Sequence, residues 1–200
     1  PCLERKRVTF GCFNNTNKLT GEVIELWSKL LHELPEARLM LKSTNLADED
    51  TRRRFREKFE RNDVSGDRLV LDGPDVIYEY LERFGEIDIA LDPFPHNGGT
   101  TTHDALWMGV PVISLAGDRY VSRFGVTILN NLGRPEWLAA DKQEYVEIAK
   151  QLADNPRQLA KIRSNLRREM SNSALCDGPG FARNFERALR DVWKKFTSND

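Results

Sequence analysis

Short apolar runs recur along the first two-thirds of the chain, and apolar residues at helical spacing lie between them. Thr20, for example, precedes a helical pattern that begins at Val23 and ends before Pro35. Strands that alternate with helices predict βαβ units, and therefore an α/β fold with a Rossmann-like parallel sheet and helices on both faces. The predicted strands are residues 8–13, 38–41, 68–71, 87–91 and 110–115.

Helical patterns fill most of the remaining sequence. From about residue 141 to residue 197 the pattern is helical, with one break at "CDGPG". In this tail Phe181, Phe185, Trp193 and Phe196 follow helical spacing, so we expect them to serve in simple packing. We predict that residues 1–200 form a single domain closed by C-terminal helices. The helices predicted between the strands are residues 20–34, 47–63, 75–84, 100–108 and 122–131.

The composition of the chain limits the kinds of molecule that it is expected to bind. Hydrophobic residues make up 40% and charged residues 30% of the 200 residues, as in an ordinary globular domain. The 30 basic residues nearly balance the 31 acidic ones, so a formal net charge of −1 gives no bulk attraction to nucleic acid or to an anionic membrane. The basic run at residues 52–58 is interleaved with acidic residues and predicts a solvated helix face.

Cysteine usage and hydropathy indicate a compartment. Cys2, Cys12 and Cys176 are widely separated and form no CxxC pair, so neither a disulfide framework nor a zinc site is indicated. No apolar run reaches the ~18 residues that span a bilayer, and no signal-peptide pattern opens the chain. We expect a cytoplasmic protein. Because the chain begins at Pro1 without a methionine, we also expect it to be part of a longer protein.

The stretch "DPFPHNGGTTTHDALWMGVPV", which begins at Asp92, carries the candidate chemistry. It follows a predicted strand and opens a predicted helix, a position where parallel sheets bind ligands. Helix N-terminal N–H groups attract phosphate, and Gly98 and Gly99 permit a tight turn and a close ligand approach. Thr100, Thr101 and a third threonine add hydroxyl donors. The pattern predicts a diphosphate site that needs no metal.

Asp104 would repel a phosphate, but its carboxylate can accept hydrogen bonds from the diol of a ribose. A diphosphate next to a ribose indicates a nucleotide. Neither the GxGxxG fingerprint nor a Walker P-loop occurs in the chain, so the two commoner phosphate motifs are excluded. A structural alternative stays open, because Gly-Gly-Thr at a helix start can serve only as a turn and a cap, with an acidic residue favoured in the first turn.

Three segments carry a resemblance to a known family: "CFNNTNKLT", "DIALDPFPHNGGTTTHDALWMGVPVISLAGDRYVSRFG" and "LCDGPGFARNFERALRDVW". They resemble the C-terminal half of the catalytic region of O-linked N-acetylglucosamine transferases, of the bacterial type carried behind tetratricopeptide repeats. Plant-type protein O-fucosyltransferases share much of the pattern. The resemblance covers residues 8–193 and implies a GT-B fold, in which two Rossmann-like domains face each other and the C-terminal one binds the nucleotide sugar.

The resemblance assigns roles to individual residues. Lys18 matches a lysine that contacts the donor diphosphate and so becomes the candidate catalytic residue. Gly99 departs from the pattern, because animal members have a histidine there. By position, His96 precedes the glycines and Arg123 follows the next predicted strand on the same binding edge, so both are possible donor contacts. The matched donor-binding set is Asn15, Lys18, Arg83, Gly98, Gly99, Thr100, Thr101 and Asp104, with Arg83 in a loosely aligned helix.

The resemblance also implies a function. It predicts the donor-binding half of an inverting, metal-independent glycosyltransferase that moves N-acetylglucosamine from UDP-N-acetylglucosamine to protein Ser/Thr hydroxyls. The implied partners are an N-terminal GT-B domain, tetratricopeptide repeats and a protein acceptor, so the 200-residue chain should bind donor without turnover. Three alternatives stay open: a GDP-fucose-dependent O-fucosyltransferase, a catalytically silent nucleotide-binding or interaction module and, more weakly, a nucleotide-sugar epimerase.

Overall fold

The computed structural model describes residues 1–198 and contains one parallel sheet with helices around it. The strands lie in the order β3-β2-β1-β4-β5-β6, and every neighbouring pair is parallel. All residues of β1 and β4 are buried, which requires cover on both faces of the sheet. The α/β prediction is confirmed. The strands are β1 Thr9–Cys12, β2 Arg38–Lys42, β3 Leu69–Asp72, β4 Ile89–Leu91, β5 Val112–Leu115 and β6 Leu138–Ala139.

Nine α-helices lie within residues 1–198. Helix-capping chemistry sets several of their starts, and Thr20 accepts a hydrogen bond from the Val23 N–H as predicted. The helices are α1 Cys2–Arg5, α2 Gly21–Glu33, α3 Glu49–Glu60, α4 Ile77–Glu82, α5 Thr100–Trp107, α6 Phe124–Leu132, α7 Lys142–Ala153, α8 Pro156–Ser171 and α9 Gly178–Thr197. None of them is both long and apolar enough to cross a membrane.

The strand order places a topological switch point between β1 and β4. The chain runs outward from β1 through β2 to β3, then returns to pair β4 on the other side of β1. In such sheets the crevice beyond the carboxyl ends of the two central strands is the usual ligand site. The loops that leave β1 and β4 therefore meet at one edge, although 79 residues separate Lys18 from Asn97.

Packing at the sheet centre is tight. Phe10 and Trp27 are fully buried, and a Cβ placed on Gly11 would lie 2.4 Å from Cδ1 of Ile87. On α3 Phe55 and Phe59 are buried, while its charged residues form surface ion pairs such as Arg53 with Asp50. The basic run is thus a solvated helix face, as predicted.

The aromatic residues of α9 differ from expectation. Phe181, Phe185, Trp193 and Phe196 are between 54% and 68% exposed, so the prediction that they serve in packing within this chain is wrong. Their helical spacing is real, but the apolar face that it creates has no cover among residues 1–198. Segment boundaries also shift: the helix expected from residue 122 begins at Phe124, and neither α1 nor β6 was predicted.

Candidate functional site

The loop between β4 and α5 makes a turn at residues 97–99 that requires glycine at its centre. A Cβ on Gly98 would lie 2.5 Å from Thr102 Oγ1 and 2.8 Å from Thr101 Oγ1. Gly99 is the N-cap of α5, and no side chain caps the helix there. The first N–H groups of α5 therefore face the sheet edge without an intrahelical acceptor. A Cβ on Gly99 would meet nothing within 4 Å.

A four-residue cluster joins the loops that follow β1 and β4. Lys18 Nζ donates to Asn97 O at 2.9 Å and to Asn14 Oδ1 at 3.1 Å. Thr101 Oγ1 donates to the same Asn14 oxygen at 2.9 Å. One amide oxygen thus holds an ammonium group beside a hydroxyl at the N-terminus of α5. Lys18 lies at the predicted sheet edge; its contact with a donor stays a prediction.

The predicted donor-binding set contains Asn15 but not its neighbour Asn14. Asn14 is 7% exposed and contacts both Lys18 and Thr101, whereas Asn15 is exposed and accepts from the Asn17 N–H at 2.9 Å. The contact of Asn15 with a donor remains a prediction. Sequence position alone could have favoured Asn14, because it lies two residues after the end of β1 and so at the buried sheet edge.

Asp104 lies one helical turn after Thr100 and Thr101 and is oriented by a tyrosine. Tyr80 donates its hydroxyl to Asp104 Oδ2 at 3.1 Å. Burial, with the nearby Asp104 charge, raises the pKa of Tyr80 above its ordinary range, so the phenol remains a donor at neutral pH. Tyr80 packs edge-on against Phe84 at 5.4 Å between ring centroids. Asp104 thus presents its second oxygen from a fixed position.

Arg83 belongs to a neighbouring ion-pair network. Its guanidinium contacts Glu86 at 2.8 Å and Asp75 at 3.0 Å, and both carboxylates raise its pKa. Asp75 also accepts from the buried Lys42 at 2.7 Å. The network fixes the loop after β3, and the predicted contact between Arg83 and a donor stays untested.

A cleft of about 200 Å³ opens beyond the carboxyl ends of β1, β2 and β3. Its walls include Phe13, Asn15, Lys42, Asp75 and Tyr80. A larger cleft of about 350 Å³ lies elsewhere, between Trp137 and helices α7 and α8. The smaller one adjoins the Asp104 side of the site, so it is the better candidate for extending it.

The remaining predicted contacts lie around the same edge. His96 and Thr100 are exposed, and Arg123 donates to Gly117 O at 3.0 Å. None of the three has a hydrogen bond to Lys18 or Asn14 in the part of the chain that the structure describes. Residues 1–198 also contain no group of three or more His, Cys, Asp or Glu side chains placed to hold a metal ion.

Asp92 is a buried carboxyl directly beneath the turn at residues 97–99. It accepts from the Gly98 N–H and from Ser114 Oγ, both at 2.6 Å, and is 1% exposed. Burial raises its pKa to about 7, although the two hydrogen bonds and the Lys18 charge oppose the shift. Asp92 is not among the site residues that the sequence predicts.

The raised pKa of Asp92 predicts a pH-dependent stability. Between the unfolded value of 3.8 and the folded value of about 7, the folded protein holds a proton that the unfolded chain releases, so stability falls as pH rises through this window. Asp92→Asn removes the effect. Between pH 5 and pH 8 the wild-type protein should lose about 2–3 kcal/mol of unfolding free energy that the Asp92→Asn protein keeps. Urea titrations at each pH measure the difference. A free energy of unfolding that changes equally with pH in wild type and in Asp92→Asn would contradict this prediction.

Comparison with known proteins supports the architecture. The model of glycosyl transferase family 41 matches residues 2–185. A mutant O-GlcNAc transferase from Thermobaculum terrenum has a TM-score of 0.88 and 37% identity, over 94% of this chain and 36% of that one. An Anabaena protein solved with UDP and glucose has a TM-score of 0.62 at 15% identity, covers 92% of this chain and 51% of its own, and shares the fold alone.

Curated relatives agree with the family match. A Solanum lycopersicum protein named probable UDP-N-acetylglucosamine-peptide N-acetylglucosaminyltransferase SPINDLY is 36% identical over 100% of this chain. A Caenorhabditis elegans UDP-N-acetylglucosamine-peptide N-acetylglucosaminyltransferase is 29% identical over 96% of this chain and 16% of its own length. The chain spans 22% of the length of the tomato protein. The fold and the family match together show that this chain belongs to glycosyl transferase family 41.

Proposed function

We propose that this chain is the donor-binding half of an inverting GT-B glycosyltransferase that transfers N-acetylglucosamine from UDP-N-acetylglucosamine to protein Ser/Thr hydroxyls. The observation that carries the proposal is the Asn14 oxygen, which holds the Lys18 ammonium and the Thr101 hydroxyl together at the start of α5. The names of the family 41 relatives support the choice of sugar and acceptor.

The diphosphate would bind at the N-terminus of α5. The first helix N–H groups, the Thr101 hydroxyl and the Lys18 ammonium lie there, the exposed Thr100 would add its hydroxyl, and a hydrogen bond to a charged oxygen contributes about 1.5–3 kcal/mol. The macrodipole of α5 adds further stabilisation for an anion at this end. The site supplies its positive charge from the protein, and this supports a metal-independent reaction.

The nucleoside would extend from the diphosphate towards Tyr80. Asp104, oriented by the Tyr80 hydroxyl, is placed to accept hydrogen bonds from the ribose diol. The base would then enter the cleft between Phe13 and Tyr80, which adjoins it. Backbone groups and loop contacts in this cleft would distinguish uracil from guanine.

In the reaction, the acceptor hydroxyl would attack the anomeric carbon and lose its proton, ultimately to solvent, while the bond from that carbon to the UDP oxygen breaks. Negative charge then grows on the departing diphosphate. Lys18 and the α5 N–H groups are fixed before the reaction, so they stabilise this charge without reorganising. The residues of this chain thus act on the leaving group.

The rest of the longer protein would complete the site. This chain covers 22% of the tomato relative, so an N-terminal GT-B domain, tetratricopeptide repeats and the protein acceptor are proposed partners. The apolar face of α9 fits such an arrangement, because Phe181, Phe185 and Trp193 lack cover among residues 1–198. A cytoplasmic location suits the cysteines, which are all free.

Calorimetric titration with UDP, GDP and ADP tests the proposal. UDP should bind, and Thr101→Ala and Asp104→Ala should each weaken it by about tenfold or more, the loss expected for a hydrogen bond to a charged group. Thr127→Ala is the matched control, since its hydroxyl contacts only Arg123 O on its own helix.

A preference for GDP would favour the fucosyltransferase alternative. If no nucleotide binds, the same titration on the full-length protein separates a site that needs the other domain from a motif that is only a turn and a cap. A UDP affinity that neither substitution lowers would contradict the proposed site.

A further inference from the structure

Asp92 lies behind the proposed donor site and is 1% exposed. Its backbone carbonyl accepts from the Tyr145 hydroxyl at 3.1 Å, and its side chain is fully enclosed. A carboxyl group kept in such a place needs an explanation, because burial of an ionisable group is costly unless its hydrogen bonds are made.

Both side-chain oxygens of Asp92 are used. Oδ1 accepts from the Gly98 N–H and Oδ2 accepts from the Ser114 hydroxyl, so one side chain ties the turn at residues 97–99 to β5. Helix α6 closes the same space, since a Cβ on Gly125 would lie 1.9 Å from Ser114 Oγ and 3.3 Å from Asp92 Oδ2. The carboxyl thus ties the turn to β5, in a space that α6 closes.

The position of this turn determines where the ligand-facing groups lie. Gly98 follows Asn97, whose carbonyl accepts from Lys18, and precedes Gly99, the N-cap of α5. A shift of Gly98 would therefore move the Lys18 ammonium and the first N–H groups of the helix together.

We infer that Asp92 is a positioning residue for donor binding, acting through the Gly98 N–H on the Lys18 partner and the α5 N-terminus. The inference rests on the proposed function, because it presumes that the diphosphate binds at this helix end. It makes Asp92 part of the binding machinery without contact with the donor.

The groups around Asp92 make its ionisation observable. Lys18 is the charged group that faces it from the loop after β1, while β1 contributes Cys12 and α7 contributes Tyr145. Burial raises the pKa of Cys12 to about 12 and that of Tyr145 well above its usual range, so both stay neutral at pH 7. Burial brings the pKa of Asp92 itself to about 7, within a range that NMR can follow.

UDP titration of variants provides the first test. Asp92→Ala removes the acceptor for Gly98 and should weaken UDP binding by about tenfold, as the loss of a charge-assisted hydrogen bond predicts. Asp92→Asn should rescue binding to within about threefold, because its oxygen still accepts from Gly98 and its amide donates to Ser114. Asp88→Asn is the matched control. Asp88 is equally buried but lies at the opposite end of β4, where it accepts from the Cys2 and Thr9 N–H groups.

The Gly98 amide provides the second test, which needs no ligand. In a pH series of ¹⁵N-correlated spectra, the wild-type amide should titrate with a midpoint near 7. The diagnostic signal is the part of this titration that Asp92→Asn removes. This comparison also holds if Asp92→Ala does not fold.

The outcomes separate two failures. Wild-type protein that binds no UDP, in the full-length form as well as in the 200-residue chain, overturns the proposed function. Wild-type protein that binds UDP overturns the present inference if Asp92→Ala binds equally well, if Asp92→Asn binds as poorly as Asp92→Ala, or if the Gly98 amide titrates identically in wild type and Asp92→Asn. An affinity loss in Asp88→Asn as large as that in Asp92→Ala would assign both effects to stability and overturn it too.

Discussion

Lys18→Ala should lower the transfer rate of the full-length protein by about 10²–10³-fold, the range measured when one preorganised donor to a developing negative charge is removed. The 200-residue chain should lose UDP affinity by about tenfold to hundredfold, because one charge-assisted contact disappears. The reason is geometric: Asn14 and the Asn97 carbonyl fix the ammonium at 3.1 and 2.9 Å, so it stabilises the diphosphate charge without reorganising. Turnover assays and calorimetry give the two values.

Lys150→Ala is the matched control for this substitution. Lys150 is also ion-paired, to Glu33 at 2.6 Å, but it lies on α7 away from the sheet edge. Its loss should leave both turnover and UDP affinity unchanged. A Lys18→Ala protein that transfers sugar at the wild-type rate would remove Lys18 from the mechanism.

Gly98→Ala and Gly99→Ala should behave very differently although they are neighbours. A Cβ on Gly98 would meet Thr102 Oγ1 at 2.5 Å, Thr101 Oγ1 at 2.8 Å and Asp92 Oδ1 at 3.0 Å. Overpacking of this kind costs about 1–3 kcal/mol of stability, and here it also displaces the turn that carries the ligand-facing groups. We expect Gly98→Ala to reduce UDP affinity at least tenfold and to lower the urea midpoint.

Gly99→Ala serves as the internal control. A Cβ there meets nothing within 4 Å, and the backbone φ of −110° suits an L-residue. Its stability should match wild type, and its UDP affinity should stay within about threefold, less than one charge-assisted hydrogen bond. Equal effects of the two substitutions on stability and binding would show that the close packing around Gly98 does not shape the site.

The sequence located the ligand edge because parallel sheets place their strand ends together. Lys18 follows one predicted strand and Thr101 follows another, so that rule suffices to bring both residues to one edge of the sheet. It does not reveal which side chains join them. Asn14 and Thr101 are 87 residues apart, and their contact depends on β1 pairing with β4 rather than on any local pattern.

Burial explains most of what the sequence did not show. Asp92 appears in the sequence as an acidic residue in a polar loop, and only its burial in the folded protein raises its pKa. The reverse holds for α9: helical spacing of aromatic residues predicts an apolar face, but not whether this chain or another part of the protein covers it.

Short elements were missed for a physical reason. The strand β6 contains two residues and α1 contains four, so neither shows a period that a sequence pattern can detect. Long amphipathic helices such as α7 and α8 were recovered because their apolar faces repeat over several turns.

Chemical-shift mapping of the 200-residue chain with UDP tests the central claim most directly. The largest amide changes should fall on Lys18 and on the segment from Gly98 to Thr101, with smaller changes near Tyr80. Changes confined to the cleft beside Trp137, or none at saturating UDP, would contradict the placement of the nucleotide at the start of α5.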